Sequence, residues 1–174
     1  SMRRWCVGLG LLALLVLTCP WGQGAASVAW ANGDVALDRW VQTTIADFSG
    51  GTFTGVVVDP AGDGELRLLG HRSQGTYTSA MQPLPFPGQA VALLYKARVP
   101  SGARLVFELR ARAEAGDWSS WMTVPAGLWT DGAGRVVGES LLAFPAGAWA
   151  LQYRVTFYGR GNGPALEEVT IVYM

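Results

Sequence analysis

The chain has 174 residues, of which 50% are hydrophobic and 11% aromatic, with 13 basic and 13 acidic side chains. This hydrophobic content excludes an intrinsically disordered chain, and the balanced charge lacks the basic surplus of a typical nucleic-acid-binding protein. A chain of this length is expected to form one domain with a substantial core.

The first residues have the pattern of an export signal. Arg3 and Arg4 precede an apolar run over residues 7–19, and small residues lead to the sequence Ala-Trp-Ala at 29–31. The apolar run is shorter than the roughly 20 residues that span a bilayer. We predict a cleaved signal peptide over residues 1–31, with a site near Gly24 as an alternative. A secreted or cell-surface protein with no membrane contact after cleavage is expected.

Cleavage would change the composition of the exported chain. Both cysteines, Cys6 and Cys19, lie in the signal, so no disulfide is expected in the mature domain. Lipidation of Cys19 is an alternative, although the residue before it lacks the expected small side chain. Two arginines leave with the signal, so 11 basic side chains remain against 13 acidic ones, a net charge of −2. A weakly acidic domain is not expected to bind nucleic acid.

The rest of the chain has the pattern of a β-rich domain. Residues 32–44 are predicted to be a leader of uncertain order, and residues 45–174 to be the domain. Apolar and polar side chains alternate in 105–112 and 151–158, which is typical of half-buried antiparallel strands. Gly and Pro turns bound the other candidate strands at 52–58, 65–69, 75–82, 90–99, 118–124, 139–144 and 169–173. The prediction is an all-β fold, an antiparallel β-sandwich with the topology of a jelly roll of about eight strands.

The loop after the first candidate strand carries three acidic side chains, Asp59, Asp63 and Glu65. The first two precede Pro and Gly in turn dipeptides, where Asp caps nearby backbone N–H groups. Calcium also accepts carboxylates and carbonyls from irregular loops, although the spacing is not that of an EF-hand. We keep a calcium site at these three residues as the alternative to turn chemistry, and expect no other cofactor.

No catalytic constellation emerges from the sequence. The only histidine, His71, lies beside Gly70 at the end of a candidate strand, and no Gly-x-Ser-x-Gly motif accompanies it. One histidine without cysteine does not make a zinc site. Glycan hydrolysis needs only two carboxylates, but turn chemistry explains the acidic loop better. We therefore predict that the protein is not an enzyme.

Three tryptophans are candidate ligand contacts: Trp118, Trp121 and Trp129. Sugars present apolar C–H faces that pack against aromatic rings. On a strand, a spacing of three residues would place Trp118 and Trp121 on opposite faces. Packing in the core is the competing explanation for each ring, because bulky aromatics usually fill a small sandwich.

Two arginines, Arg110 and Arg154, are candidate polar contacts. Alternation in their strands points them outward together with Arg112. If the two strands are neighbours, these guanidinium groups line one face and would suit the carboxylates of an anionic glycan. Because Glu108 and Gln152 share that predicted face, an ordinary solvated sheet surface is the competing explanation.

Five short segments carry a resemblance to a known family: FSGGTF at 48–53, GTYTSA at 75–80, YKARVPSG at 95–102, WSSW at 118–121 and LQYRV at 151–155. Together they resemble the β-sandwich accessory modules of secreted bacterial cell-wall proteins, of the kind that precede peptidoglycan-recognition or N-acetylmuramoyl-L-alanine amidase domains. The resemblance covers residues 45–174. The sequence contains no segment that resembles the amidase domain. It implies an accessory, glycan-facing role without a catalytic residue.

Two functional hypotheses follow from the sequence. The first is a secreted, non-catalytic carbohydrate-binding or cell-wall-attachment module whose partner is a polysaccharide or peptidoglycan. The second is a structural or protein-interaction module that accompanies a partner domain or subunit. A contiguous apolar surface patch would favour the second. A fold does not fix a function, so the sequence alone does not separate them.

Overall fold

The computed structural model describes residues 35–61, 64–125, 127–160 and 163–174. The elements in this part of the chain are β1 (Asp38–Gln42), α1 (Ile45–Phe48), β2 (Thr52–Thr54), β3 (Val56–Asp59), β4 (Glu65–Leu68), β5 (Gln74–Thr78), β6 (Gln82–Arg98), β7 (Arg104–Arg112), β8 (Met122–Thr123), β9 (Gly127–Thr130), β10 (Val136–Tyr158) and β11 (Ala165–Tyr173). All pairings between these strands are antiparallel. The predicted all-β antiparallel β-sandwich is confirmed, with eleven strands in place of about eight.

The predicted signal peptide, residues 1–31, lies outside the described residues. Within the residues that are described, no helix has the length and apolar character needed to cross a membrane.

Two long strands, β6 and β10, run through both layers of the sandwich. Early in β10, Val136 lies opposite Ala97 of β6; after register shifts between Ala143 and Ala150, β10 pairs with β7 and β5. The first layer therefore holds β1, β11, most of β6, the first half of β10 and β9, with β4 and β3 beside the start of β11. The second layer holds β2, β5, the second half of β10, β7 and β8. Gly147, with a φ of 75°, lies at the crossing.

The inward side chains of both layers meet in one core. Tyr95 of the first layer stacks on Phe107 of the second with ring centres 4.3 Å apart. Trp40 of β1 lies 5.6 Å from Tyr153 of β10. Apolar burial contributes roughly 25 cal/mol per Å², so the buried rings of Tyr95, Phe107 and Tyr153, with the half-buried ring of Trp40, supply much of the stabilisation.

The segment predicted to be a leader contributes a strand. β1 pairs with β11 over its whole length. The helix after it begins with a capping box, in which Thr44 accepts from the Asp47 amide at 3.2 Å and the Asp47 carboxylate accepts from the Thr44 amide at 2.8 Å. Buried Gln42 accepts from the Tyr153 hydroxyl at 2.6 Å and donates to the Asp47 carbonyl at 2.5 Å. The sandwich therefore begins before residue 45.

Several predicted strands differ from the structure. The segment 52–58 is divided at Gly55, whose φ of 67° interrupts the extended chain. The segment 118–124 forms only the two-residue β8. The segments 139–144 and 151–158 are one strand, because Pro145 and Gly147 bend β10 without ending it.

Candidate functional site

The outer surface of the second layer collects polar side chains from β7 and β10. Arg110 lies opposite Gln152, and Arg154 lies opposite Glu108. Because the residues that alternate with them are buried, these four side chains point away from the core. The condition that the sequence left open is met: the two strands are neighbours, and their arginines share an outer face.

The segment between β7 and β8 folds back over these arginines. Its anchor is Ser119, whose amide donates to the Ala111 carbonyl at 2.8 Å and whose hydroxyl accepts from the Ala111 amide at 3.1 Å. Trp118 forms an isolated bridge with Arg112, and Trp121 comes directly before β8. Since residues 119–121 are not in a strand, the alternation rule does not apply to them. The expectation that the two tryptophans face opposite sides is therefore wrong, and both rings contact Arg110.

Arginine and tryptophan side chains alternate along this surface. The guanidinium carbon of Arg110 lies 4.7 Å from the ring centre of Trp118 and 4.5 Å from that of Trp121. Arg112 lies 5.5 Å from Trp118, and Arg154 lies 4.6 Å from Trp121. All four distances fall within the roughly 6 Å over which a cation is attracted to a ring. We call this surface the Arg–Trp face; its residues are Glu108, Arg110, Arg112, Trp118, Trp121, Gln152 and Arg154.

The charged groups of the Arg–Trp face are only partly neutralised. Arg154 donates two hydrogen bonds to the Glu108 carboxylate, one of them 2.8 Å long. These bonds hold the pKa of Glu108 below its ordinary value, against the smaller opposing effect of burial, and raise the pKa of Arg154. Arg110 instead donates to the neutral Gln152 at 2.9 Å and 2.5 Å, and Gln152 donates to the Ser79 carbonyl at 2.7 Å. Arg110 is therefore held in place by a neutral partner that leaves its charge uncompensated.

A strip of threonine hydroxyls continues the surface across β5 and β2. Neighbouring strands lie about 4.8 Å apart, so the strip presents donors and acceptors at a regular interval. The opposed pairs are Arg154 with Thr78, Thr78 with Thr52, Thr156 with Thr76, and Thr76 with Thr54. This strip was not predicted from the sequence, because alternating threonines indicate one outward face but do not show which strands are neighbours.

No protein-family model and no curated protein matches the chain. Among solved structures, the enzymatically active domain of bacteriophage CBA120 tailspike protein 4 is 13% identical, with a TM-score of 0.42 over 77% of this chain and 19% of that one. TmCBM61, solved in complex with β-1,4-galactotriose, is 10% identical, with a TM-score of 0.36 over 76% of this chain and 86% of that one. BtGH115A, a family GH115 4-O-methyl-α-glucuronidase, is 12% identical, with a TM-score of 0.36 over 86% of this chain and 19% of that one.

This chain thus spans about one fifth of the tailspike domain and of the glucuronidase. At these identities and TM-scores the likeness is limited to the β-rich fold. No ligand or activity of those proteins is carried over to this chain.

Trp129, the third predicted contact, lies on the other layer. It is opposite Val137 in the pairing of β9 with the start of β10, and its ring is 47% exposed. Strand register places it on an outer surface that also carries Lys96, Glu139 and Thr170. The apolar side chains of this surface, which we call the apolar face, are Val41, Ala92, Leu94, Trp129, Val137, Leu141 and Val172. Trp129 therefore lies apart from the Arg–Trp face, because the first half of β10 pairs with β9 in the first layer and the second half pairs with β7 in the second layer.

The predicted calcium ligands are engaged with arginines. Arg67 lies 3.0 Å from the Asp59 carboxylate and 2.7 Å from that of Glu65, which also pairs with Arg98. A guanidinium between two carboxylates repels a second cation, so these contacts oppose calcium at Asp59 and Glu65. Asp63 lies outside the described residues. Among the residues that are described, no cluster of three or more His, Cys, Asp or Glu side chains is placed to hold a metal ion.

Two shallow grooves lie at the loop end of the sandwich. One, of about 370 Å³, is lined by Ser73, Ser101, Gly159 and Arg160 among others, and the second, of about 450 Å³, includes Arg67. Neither has an aromatic ring or a carboxylate in its lining, so neither offers a sugar platform or an acid–base pair. His71 is exposed in a turn, as its sequence context predicts.

Proposed function

We propose that this protein is a secreted, non-catalytic module that attaches to a polysaccharide, such as a cell-wall glycan, through its Arg–Trp face. The observation that carries the proposal is the convergence of two tryptophans and three arginines on one open strand surface. Indole rings offer apolar area for the C–H faces of sugars, and guanidinium and amide groups donate hydrogen bonds to sugar oxygens.

Both rings of the Arg–Trp face are half-buried. Arginines on the sheet hold Trp118 and Trp121 in place, and the connecting segment is fixed to β7 through Ser119. Side chains that are ordered before binding spare about 0.5 to 1.5 kcal/mol each in ordering cost. The face therefore resembles a prepared binding surface more than a solvated row of mobile charges.

Replacement of Trp121 tests the proposal. We expect Trp121→Ala to weaken retention on the bound glycan at least tenfold, which corresponds to about 1.4 kcal/mol. Affinity electrophoresis across plant and bacterial polysaccharides, with a peptidoglycan pull-down, measures the effect. Trp129→Ala, which truncates an exposed tryptophan of the other layer, is the matched control.

The possible results point in different directions. Equal retention of Trp121→Ala and the unaltered protein, with loss in Trp129→Ala, would move the site to the first layer. Failure of the unaltered protein to bind any glycan or peptidoglycan would refute the proposal.

The apolar face supports a second candidate, a protein-interaction module. Leu141 is 68% exposed, Trp129 is 47% exposed and Val41 is 39% exposed. Exposed apolar area of this kind on one sheet surface is typical of association sites. Sedimentation velocity over a wide concentration range tests self-association, which Leu141→Asp should abolish if this face is responsible.

A further inference from the structure

We infer that the polysaccharide held by the Arg–Trp face is anionic and carries carboxylate groups on its sugars, an inference that rests on the proposed function. Three guanidinium groups and one carboxylate lie on the face, an excess of two positive charges. The expected exported chain is slightly negative overall, with 11 basic and 13 acidic side chains after two arginines leave with the signal. Positive charge is therefore concentrated where the aromatic rings are.

Arg112 is the guanidinium that most clearly requires an anionic partner. Its guanidinium carbon lies 5.5 Å from the ring centre of Trp118. Within the described part of the chain, no carboxylate lies at ion-pair distance from it. Glu114 and Asp117, on the connecting segment, are exposed and form no ion pair with it. Contact with a ring leaves the N–H groups of a guanidinium free to donate, in a fork that matches a carboxylate.

Desolvation favours an anionic ligand over a neutral one. A neutral sugar chain lying on Trp118 would cover Arg112 and withdraw water from a charge that receives no compensation. A carboxylate would replace that water with paired, charge-assisted hydrogen bonds. Arg110 and Arg112 are two residues apart on one strand, and so about 7 Å apart on the same side of the sheet. The two positions can therefore serve acidic groups at separate points along one chain.

The alternative role for Arg112 is to hold Trp118 in place without touching ligand. The two roles separate experimentally, because a holding role affects every glycan that packs on Trp118. A ligand-contacting role affects only glycans that carry a negative charge.

The experiment compares acidic polysaccharides with uncharged forms of the same backbone. Polygalacturonate, alginate and hyaluronan are each titrated beside their methyl-esterified forms, with a sulfated dextran as a second anion. Calorimetry at about 0.02 M and about 0.3 M salt is run on the unaltered protein, Arg112→Gln, Arg112→Lys and the charge-matched control Arg39→Gln. Arg39 is exposed on β1, in the other layer. Thermal unfolding of each variant reports whether folding is retained.

We expect at least one acidic glycan to bind at least tenfold more tightly than its methyl ester, with weaker binding at the higher salt. Arg112→Gln should bind the acidic form about tenfold more weakly than the unaltered protein and bind the ester with unchanged affinity. Arg112→Lys should show a smaller loss of affinity for the acidic form. Arg39→Gln should bind both forms with the affinity of the unaltered protein.

Three results would overturn the inference. Equal binding of acid and ester would leave a glycan module without a charge preference. Equal binding of sulfated dextran would replace carboxylate recognition with general polyanion attraction. A loss in Arg112→Gln that is the same for acid and ester would make Arg112 a positioning residue. Absence of binding to every glycan, neutral ones included, would refute the proposed function itself.

Discussion

Arg154 contacts an indole ring on one side and a carboxylate on the other, so it connects two kinds of interaction on the Arg–Trp face. Its bonds to Glu108 join β10 to β7, and its contact with Trp121 joins β10 to the segment before β8. The outward direction of Arg154 was predictable from alternation. Its contact with Trp121 was not predictable, because strand alternation says nothing about the path of the nine-residue connection between β7 and β8.

The ion pair of Glu108 predicts an acid-sensitive contribution to stability. The folded-state pKa of Glu108 is lowered by the Arg154 hydrogen bonds, so the contribution is present above the unfolded pKa of about 4.3 and is lost as the pH falls through the folded value. Glu108→Gln should be less stable than the unaltered protein at neutral pH, by at most about 1 kcal/mol because the pair is partly exposed. The difference in the free energy of unfolding should shrink as the pH falls below about 4.3 and through the lowered folded-state pKa of Glu108.

Urea unfolding between about pH 7 and pH 3 measures this difference. Glu139→Gln, on the outer surface of the other layer, is the matched control. If Glu108→Gln lowers the free energy of unfolding by the same amount at every pH, Glu108 acts through packing rather than through its charge.

At the scale of elements, the segment from β7 to β8 completes the Arg–Trp face. Alternation predicts β7 correctly, but 118–124 was predicted as a strand because Gly and Pro turns bound it. In the structure, one hydrogen bond in each direction between Ser119 and Ala111 holds the segment at the edge of β7, and only Met122–Thr123 forms a strand. The Ser119 hydroxyl takes the place of a strand partner for the Ala111 amide, and a pattern of hydrophobic residues does not predict such a side-chain hydrogen bond.

Ser119→Ala should loosen the two tryptophans. It removes the acceptor of the Ala111 amide, at a cost of about 1 kcal/mol, and frees the segment that carries Trp118 and Trp121. We expect a reduced near-ultraviolet circular dichroism signal and weaker glycan binding with the fold retained. Ser120→Ala is the control, because the recorded bond at Ser120 involves its carbonyl and not its hydroxyl. Superimposable spectra of the two variants would contradict this role for Ser119.

At the scale of the whole molecule, the all-β sandwich was predictable, whereas the assignment of strands to layers was not. Pro145 and Gly147 resemble the end of one strand and the start of another, yet β10 continues through them from layer to layer. This crossing depends on the register shifts against β6, which are set by tertiary packing. It also explains why Trp129 could not be excluded from the Arg–Trp face in advance.

Gly138→Ala should weaken the junction between the layers. A Cβ at Gly138 would lie 2.1 Å from the ring of Tyr95, which stacks on Phe107 of the second layer. Buried Tyr95 has little room to move, so we expect a loss of about 1 to 3 kcal/mol in the free energy of unfolding. Gly132→Ala, where a Cβ meets no atom within 4 Å, is the control in thermal unfolding. Equal midpoints for the two variants would show that the ring shifts without cost.

The passage of β10 through both layers also limits how small a working binder can be made. A fragment that kept only the Arg–Trp face would cut β10 near its middle and strip β6 of its neighbour. The exposed backbone edge would then be open to pairing with other chains, which is a common route to aggregation. Any minimised version must therefore retain the layer opposite the Arg–Trp face, including the β1 strand close to the predicted cleavage site.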